Sequence, residues 1–306
     1  MPEPTSISPS PDAGGGAPAP ARERARALVI AAYDDRYPAR LRELPDAPPL
    51  IWAVGALDTL APPVVAIVGT RQSTRYGERV TRELAGAFAR VGACVLSGLA
   101  RGIDGSAHRA ALEAGGRTAA VLGTGVNVAF PAGHRALQRH IGEAGLLLSE
   151  LPPNAHAHKG SFIQRNRLIA ALADLVIVVE APERSGALST ARCALDMGRA
   201  TAAVPGPIDV PQSHGTNHLI RDGAQIIATV ADALALVGAT PPVRSMIEPE
   251  DGDQLRLWRV LAEGPADLDA LCTRTALPAQ RCLAAVTALE LRGSIECGLT
   301  GEIRRR

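Results

Sequence analysis

From residue 63 onward, short apolar runs alternate with longer segments in which apolar residues recur every three or four positions. The runs lie at 64–68, 93–96, 118–122, 146–148, 175–179, 200–204 and 224–227. Each is apolar almost throughout rather than alternating apolar with polar, the mark of a strand buried on both faces. Helical patterns occupy 77–91, 105–114, 134–143, 186–197 and 216–221, between most of the runs, and a last one at 230–237 closes the region. Strands that take turns with helices predict a mostly parallel sheet covered on both faces.

The expected fold class is therefore α/β, a Rossmann-like domain over residues 61–237. Residues 1–20 are rich in Pro, Ser and Gly and predict a disordered tail. Residues 21–60 mix a short helical pattern with Pro38, Pro45, Pro48 and Pro49, and read as an extended lead-in packing on the core. A Pro- and acid-containing linker is expected at 238–252. Beyond it, 253–306 holds helical patterns at 254–263, 268–273 and 278–292, then a candidate hairpin at 293–303. That order suggests a small winged-helix-like domain, with a bare three-helix bundle as the alternative.

Composition narrows the function. Hydrophobic residues are 46% of the 306, charged residues 21% and aromatics 3%, so Ala, Val and Leu must fill the core. A net charge of +1 excludes a uniformly basic nucleic-acid coat, and any such site must be a local concentration of cations. Nearly all cations are arginine, for Lys159 is the one lysine of the chain. Five scattered cysteines without a C-x-x-C pair suit free thiols in a reducing compartment. No basic segment followed by an apolar run marks a signal peptide, and no run reaches the roughly 18–20 apolar residues that span a bilayer. No membrane association and a cytoplasmic location are the expectation.

Ligands of open parallel sheets bind beyond the C-terminal strand ends. The first apolar strand ends in Val68-Gly69-Thr70-Arg71, the second in Ser97-Gly98-Leu99-Ala100-Arg101-Gly102-Ile103-Asp104, the third in Gly123-Thr124-Gly125. A single glycine after a strand is more often just a tight turn. Three glycine loops on successive strand ends, with Arg71 as a planar donor, point together to a phosphate-bearing ligand. Ser97 and Gly98 read as its ligand-facing part, while Asp104 reads as a helix cap and His108 as a helix-face residue. Farther on, Lys159 stands three residues before Phe162, and Arg165 and Arg167 flank Asn166. Cations interleaved with an aromatic suit a flexible single strand, charge for its backbone and a flat face for a base. The other reading places Phe162 in the core and the arginines on a solvated helix face, and the residues alone leave the two even. Ser185 before Gly186 is a good helix cap. Glu180 could be catalytic, or could hydrogen-bond backbone or a base edge.

Enzyme signatures are thin. His156-Ala157-His158 has no further ligands at metal spacing, and neither a G-x-S-x-G elbow nor a Walker A lysine occurs. No cofactor is expected.

At this point the motifs match a family. Tyr37-Pro38, Gly69-Thr70-Arg71, the segment 97–104, Leu147-Leu148-Ser149-Glu150, Arg165-Asn166-Arg167-Leu168-Ile169-Ala170, Val179-Glu180-Ala181, Ser185-Gly186-Ala187-Leu188 and Val204-Pro205-Gly206 stand in one order. With Asn217 to Ala224 they resemble the DNA-processing protein A (DprA/Smf) family over residues 33–233. The resemblance implies a non-enzymatic, single-stranded-DNA-binding homodimer that protects incoming DNA and loads the RecA recombinase during natural transformation. Single-strand-binding protein is a secondary candidate partner. It also implies that Arg71 and Lys159 hold phosphates and Phe162 stacks a base. Arg165 and Arg167 would extend a positive rim beside Asn166, with Gly69, Thr70, Ser97, Gly98, Ser185 and Gly186 around it; Gly69 and Gly98 would let backbone approach the strand. Two departures stand out: Gly69-Thr70-Arg71 where Gly-Ser-Arg is usual, and Phe130-Pro131 where Tyr-Pro is usual. An N-terminal helical domain, carried by many members, does not fit into the residues before Tyr33. The competing hypotheses are a Rossmann-like phosphoribohydrolase using Glu180 as acid and Arg71 as phosphate anchor, and a ligand-free scaffold.

Overall fold

The computed structural model describes residues 27–240, 249, 252–298 and 301–305, in two compact units, Met1–Pro242 and Val243–Arg306. The expected tail at 1–20 and residues 241–248, 250 and 251 of the expected linker lie outside the described residues.

The first unit runs β1 (Leu28–Ala31), α1 (Ala39–Arg42), β2 (Leu50–Gly55), β3 (Val64–Val68), α2 (Arg75–Arg90), β4 (Cys94–Ser97), α3 (Ile103–Glu113), β5 (Thr118–Leu122), α4 (Arg135–Ala144), β6 (Leu146–Ser149), α5 (Ser161–Leu172), β7 (Leu175–Val178), α6 (Gly186–Asp196), β8 (Ala200–Ala203), α7 (Pro211–Arg221), β9 (Gln225–Ile226) and α8 (Val230–Ala235). Its nine strands form one sheet in the order β1-β2-β6-β5-β4-β3-β7-β8-β9. The ladder is parallel from β6 through β9, as the unbroken apolar runs predict. Alternate residues of β3 feed opposite faces. Val64, Ala66 and Val68 pack with α5 and α6, while Val65 and Ile67 pack with α2 and α3.

Two findings differ from the sequence expectation. The lead-in does more than pack on the sheet, because β2 extends it antiparallel to β6 and β1 adds antiparallel to β2. The segment around Phe162 is helical as α5, which crosses from β6 on one flank of β3 to β7 on the other.

The second unit holds α9 (Gly252–Ala262), α10 (Leu268–Thr275), α11 (Ala279–Leu291) and an antiparallel hairpin of β10 (Ile295–Cys297) and β11 (Ile303–Arg305). The hairpin joins the helical core through Ile295 and Ile303, which pack with Leu257, Leu271 and Leu289. Three helices closed by a wing-like hairpin make this a winged helix rather than a bare bundle.

Candidate nucleic-acid interface

The sheet order reverses at β3, since the chain moves outward through β4, β5 and β6 and then returns to place β7 on the other side. Loops at such a switch point diverge and leave a crevice beyond the strand ends. A cleft of about 320 Å³ lies there, lined by the loop after β3 (Gly69 to Gln72), the segment after β7 (Arg184 to Ala187) and the first turns of α5.

Its floor is rigid because the backbone of the loop after β4 is tied down. The buried Asp104 carboxylate accepts from Gly98 N at 3.2 Å and Ala100 N at 3.3 Å. His134 Nδ1 lies 3.1 Å from Leu99 O, holding a residue whose φ of 59° falls in the left-handed region. Arg165 Nη1 donates to Gly98 O at 2.7 Å and to Val121 O. Burial lowers the Arg165 pKa to about 10, opposed by the Asp104 charge, so the guanidinium stays protonated at neutral pH. The same burial raises the Asp104 pKa, with Arg165 pulling it back. Gly98 must be glycine here, since a Cβ would stand 2.4 Å from Arg165 Nη1 and Nη2.

Glu180, at the end of the β7 run, is engaged in structure. Its carboxylate accepts from Thr74 N at 2.9 Å and from Thr74 Oγ1. Thr74 is the cap of α2, so the carboxylate sits at that helix's positive end. A Cβ on Gly77 would lie 2.2 Å from Glu180 Oε2, which is why the first turn of α2 carries a glycine there. The acid of the phosphoribohydrolase reading is thus committed to a helix cap.

The cleft mouth carries the aromatic and the charge. Arg71 Cζ lies 5.5 Å from the Phe162 ring centroid. Phe130 meets the same ring with centroids 4.8 Å apart and planes inclined at 35°. Arg71 is exposed and, among the described residues, has no ion-pair partner.

The sequence-predicted residues divide into three groups. Gly69, Thr70, Arg71, Phe162, Arg165, Asn166, Ser185 and Gly186 come together around the cleft. Gly98 lines an adjoining cleft of about 240 Å³ that shares Arg71, Phe162 and Arg165 with the first. Lys159, exposed just ahead of α5, lies outside both linings, as do Ser97 and Arg167.

Several roles need correction. Arg165 is 4% exposed and works as a floor strut rather than a rim cation. Arg167 is paired with Asp46 at 2.6 Å and Glu150 at 2.8 Å, so it adds no free charge to the rim. Ser97 is fully buried and its hydroxyl donates to Ile67 O at 2.7 Å, away from any ligand. Gly69 is explained by packing, because a Cβ would meet Ile103 Cγ1 at 2.5 Å. Asn166 Nδ2 donates to Gly186 O and Ser189 Oγ, tying α5 to α6. Asp104 clamps a loop instead of capping α3. Residues the sequence reading passed over are Gln72, Arg101, Phe130 and Arg184, all in the two linings. The exposed Arg101 stands on the flagged loop after the second apolar strand, and the exposed Arg184 directly precedes the flagged Ser185; those positions were the available signal.

His108 is buried. Thr118 Oγ1 donates to Val95 O at 2.7 Å and therefore accepts from His108 Nδ1 at 2.8 Å, leaving Nε2 without a partner among the described residues. Burial, aided by the neighbouring charges, depresses its pKa to about 3. Among the described residues no group of three or more His, Cys, Asp or Glu side chains is placed to hold a metal ion, and no helix is long and apolar enough to cross a membrane.

The DNA recombination-mediator protein A family matches residues 28–238, and the DprA winged helix domain matches residues 240–298. A similar chain is the DNA processing protein DprA of Streptococcus pneumoniae, 44% identical over 206 residues that span 66% of this chain and 71% of the relative. The crystal structure of the S. pneumoniae protein superposes with a TM-score of 0.66 at 42% identity, covering 68% of this chain and 73% of that one. DNA processing protein A of Helicobacter pylori, solved for its mode of binding single-stranded DNA, gives a TM-score of 0.61 at 34% identity, covering 67% of this chain and 92% of that one.

Proposed function

The chain belongs to the DNA recombination-mediator protein A family, and from that premise we propose that it binds single-stranded DNA in the switch-point cleft of its sheet unit. The observation that carries the reading is the exposed Arg71 guanidinium, without an ion-pair partner among the described residues, standing against Phe162 at the cleft mouth. The guanidinium offers a phosphate its contact, and the aromatic pair of Phe162 and Phe130 beside it offers the flat surface a base needs, so a flexible strand can be held without sequence preference. Arg71, Arg101 and Arg184 surround the clefts as exposed cations, and Lys159 extends the track along the approach to α5. These four hold phosphates. Thr70, Gly98, Asn166, Ser185 and Gly186 shape the walls, and Arg165 supports the floor.

Nothing in this role requires a catalytic group, and Glu180 is already bonded to Thr74. The protein shields the strand and passes it to the RecA recombinase, acting as a homodimer in the cytoplasm, with single-strand-binding protein as a further contact. The sheet unit grips the DNA.

A mobility-shift titration with a thymidine oligonucleotide and a duplex of equal length tests the proposal. The single strand binds more tightly, and Arg71→Ala and the double substitution Lys159→Ala with Phe162→Ala weaken it. Equal weak binding of both nucleic acids by the unmodified protein would remove the proposal.

A further inference from the structure

Phe162 has little face left for a base. One approach to its ring is taken by the Arg71 guanidinium, 5.5 Å from the centroid, and another by Phe130 at 4.8 Å. Its edge presses on the loop after β5, where a Cβ on Gly123 would lie 2.6 Å from Phe162 Cδ1. The ring is wedged among a cation, a second ring and a backbone.

Phe130 is differently placed. It is 46% exposed and stands in the adjoining cleft of about 240 Å³, together with Arg71, Gln72, Arg101 and Pro131. Arg101 is exposed and, among the described residues, has no ion-pair partner. Arg71 and Phe162 line both clefts and so form a ridge between them. We infer that the adjoining cleft is a separate nucleotide subsite, in which a base stacks on Phe130 and its phosphate is held by Arg101, while Phe162 supports the platform from beneath. This rests on the single-strand reading above and deepens it: the strand crosses the Arg71–Phe162 ridge, leaving successive nucleotides in neighbouring clefts. Any base has a flat face, so the subsite takes a nucleotide of single-stranded DNA without preference for its identity.

The test compares Phe130→Ala, Phe130→Leu and Phe130→Trp with the unmodified protein on a thymidine oligonucleotide and on the same oligonucleotide with abasic sites. Leucine keeps apolar contact with Phe162 but has no ring, so it separates stacking from support. Phe130→Ala and Phe130→Leu are expected to lose roughly five-fold or more in affinity for the thymidine strand, the scale of one stacked base. Phe130→Trp retains affinity, and the strand quenches its indole emission above the background of Trp52 and Trp258, whereas the abasic strand does not. Binding of the thymidine strand by Phe130→Leu within two-fold of the unmodified protein overturns the subsite and leaves the single-strand reading intact. Failure of the unmodified protein to bind the strand overturns both.

Discussion

Cations already paired within the fold cannot release counterions from DNA, and this sorts the arginines around the cleft. Arg71, Arg101, Lys159 and Arg184 are exposed and without ion-pair partners among the described residues, whereas Arg167 is shared by Asp46 and Glu150. If each of the four neutralises one phosphate, the plot of log affinity against log salt for a single strand has a slope near −2.8, from about −0.7 per contact. Arg71→Ala brings it to about −2.1, because one contact is lost. Arg167→Ala leaves the slope unchanged and appears instead in stability, since it strands two carboxylates that are now neutralised. Fluorescence anisotropy of a labelled thymidine oligonucleotide across a salt series measures both variants. A slope unaltered by Arg71→Ala, or one lowered as much by Arg167→Ala, refutes the sorting of free from paired cations.

Three further outcomes follow from the buried polar groups. The folded pKa of His108, about 3, lies below the ordinary 6.5, so the unfolded chain takes up the proton first on acidification. Stability from this site is complete above about pH 7, is lost as pH falls through the unfolded value and levels off below about 3, a loss of about 2 kcal/mol between pH 8 and 5. Urea unfolding at both pH values should show that loss shrinking in His108→Gln, and an equal loss in the variant contradicts it. Gly98→Ala drives a methyl into the anchored Arg165 guanidinium and should cost about 2–4 kcal/mol, at about 2–4 °C of melting temperature per kcal/mol; an unchanged thermal melt would show that Arg165 gives way freely. Glu180→Gln should destabilise by about 1 kcal/mol through the weakened helix-end interaction while leaving single-strand affinity intact. Release of free base from nucleoside monophosphates by the unmodified protein, abolished by Glu180→Gln, would instead establish the enzyme.

The central sheet was legible because β3 through β8 are apolar almost throughout and alternate with helical patterns, as parallel strands covered on both faces do. β1 and β2 were obscured by Pro38, Pro45, Pro48 and Pro49, which argue against a strand locally yet fall between the two strands. α5 was hidden by its own chemistry: Arg165 and Asn166 are buried on the side a helical pattern would fill with apolar residues. The first two glycine loops lead to the clefts, with Gly69, Thr70 and Arg71 in one lining and Gly98 in the other, whereas Gly123, Thr124 and Gly125 are in neither. The state of its charges could not be read, because the partners that remove Arg167 lie 121 and 17 residues away. Nor does the local sequence of Phe130 and Phe162 announce that a turn after β5 and the start of α5 bring two rings together.

The antiparallel margin also governs how the molecule can be dissected. A fragment beginning at Val64, where regular alternation starts, would strip β2 from β6 and leave Leu146–Ser149 with one row of amide and carbonyl groups unsatisfied. It would also remove Ile30, Tyr37, Leu41 and Ile51, each 2% exposed or less, and open the helical layer they cover. Bare apolar margins of this kind recruit other chains, so such a fragment would come out of solution as aggregate rather than as a minimal binding domain. The smallest piece worth expressing starts before Leu28.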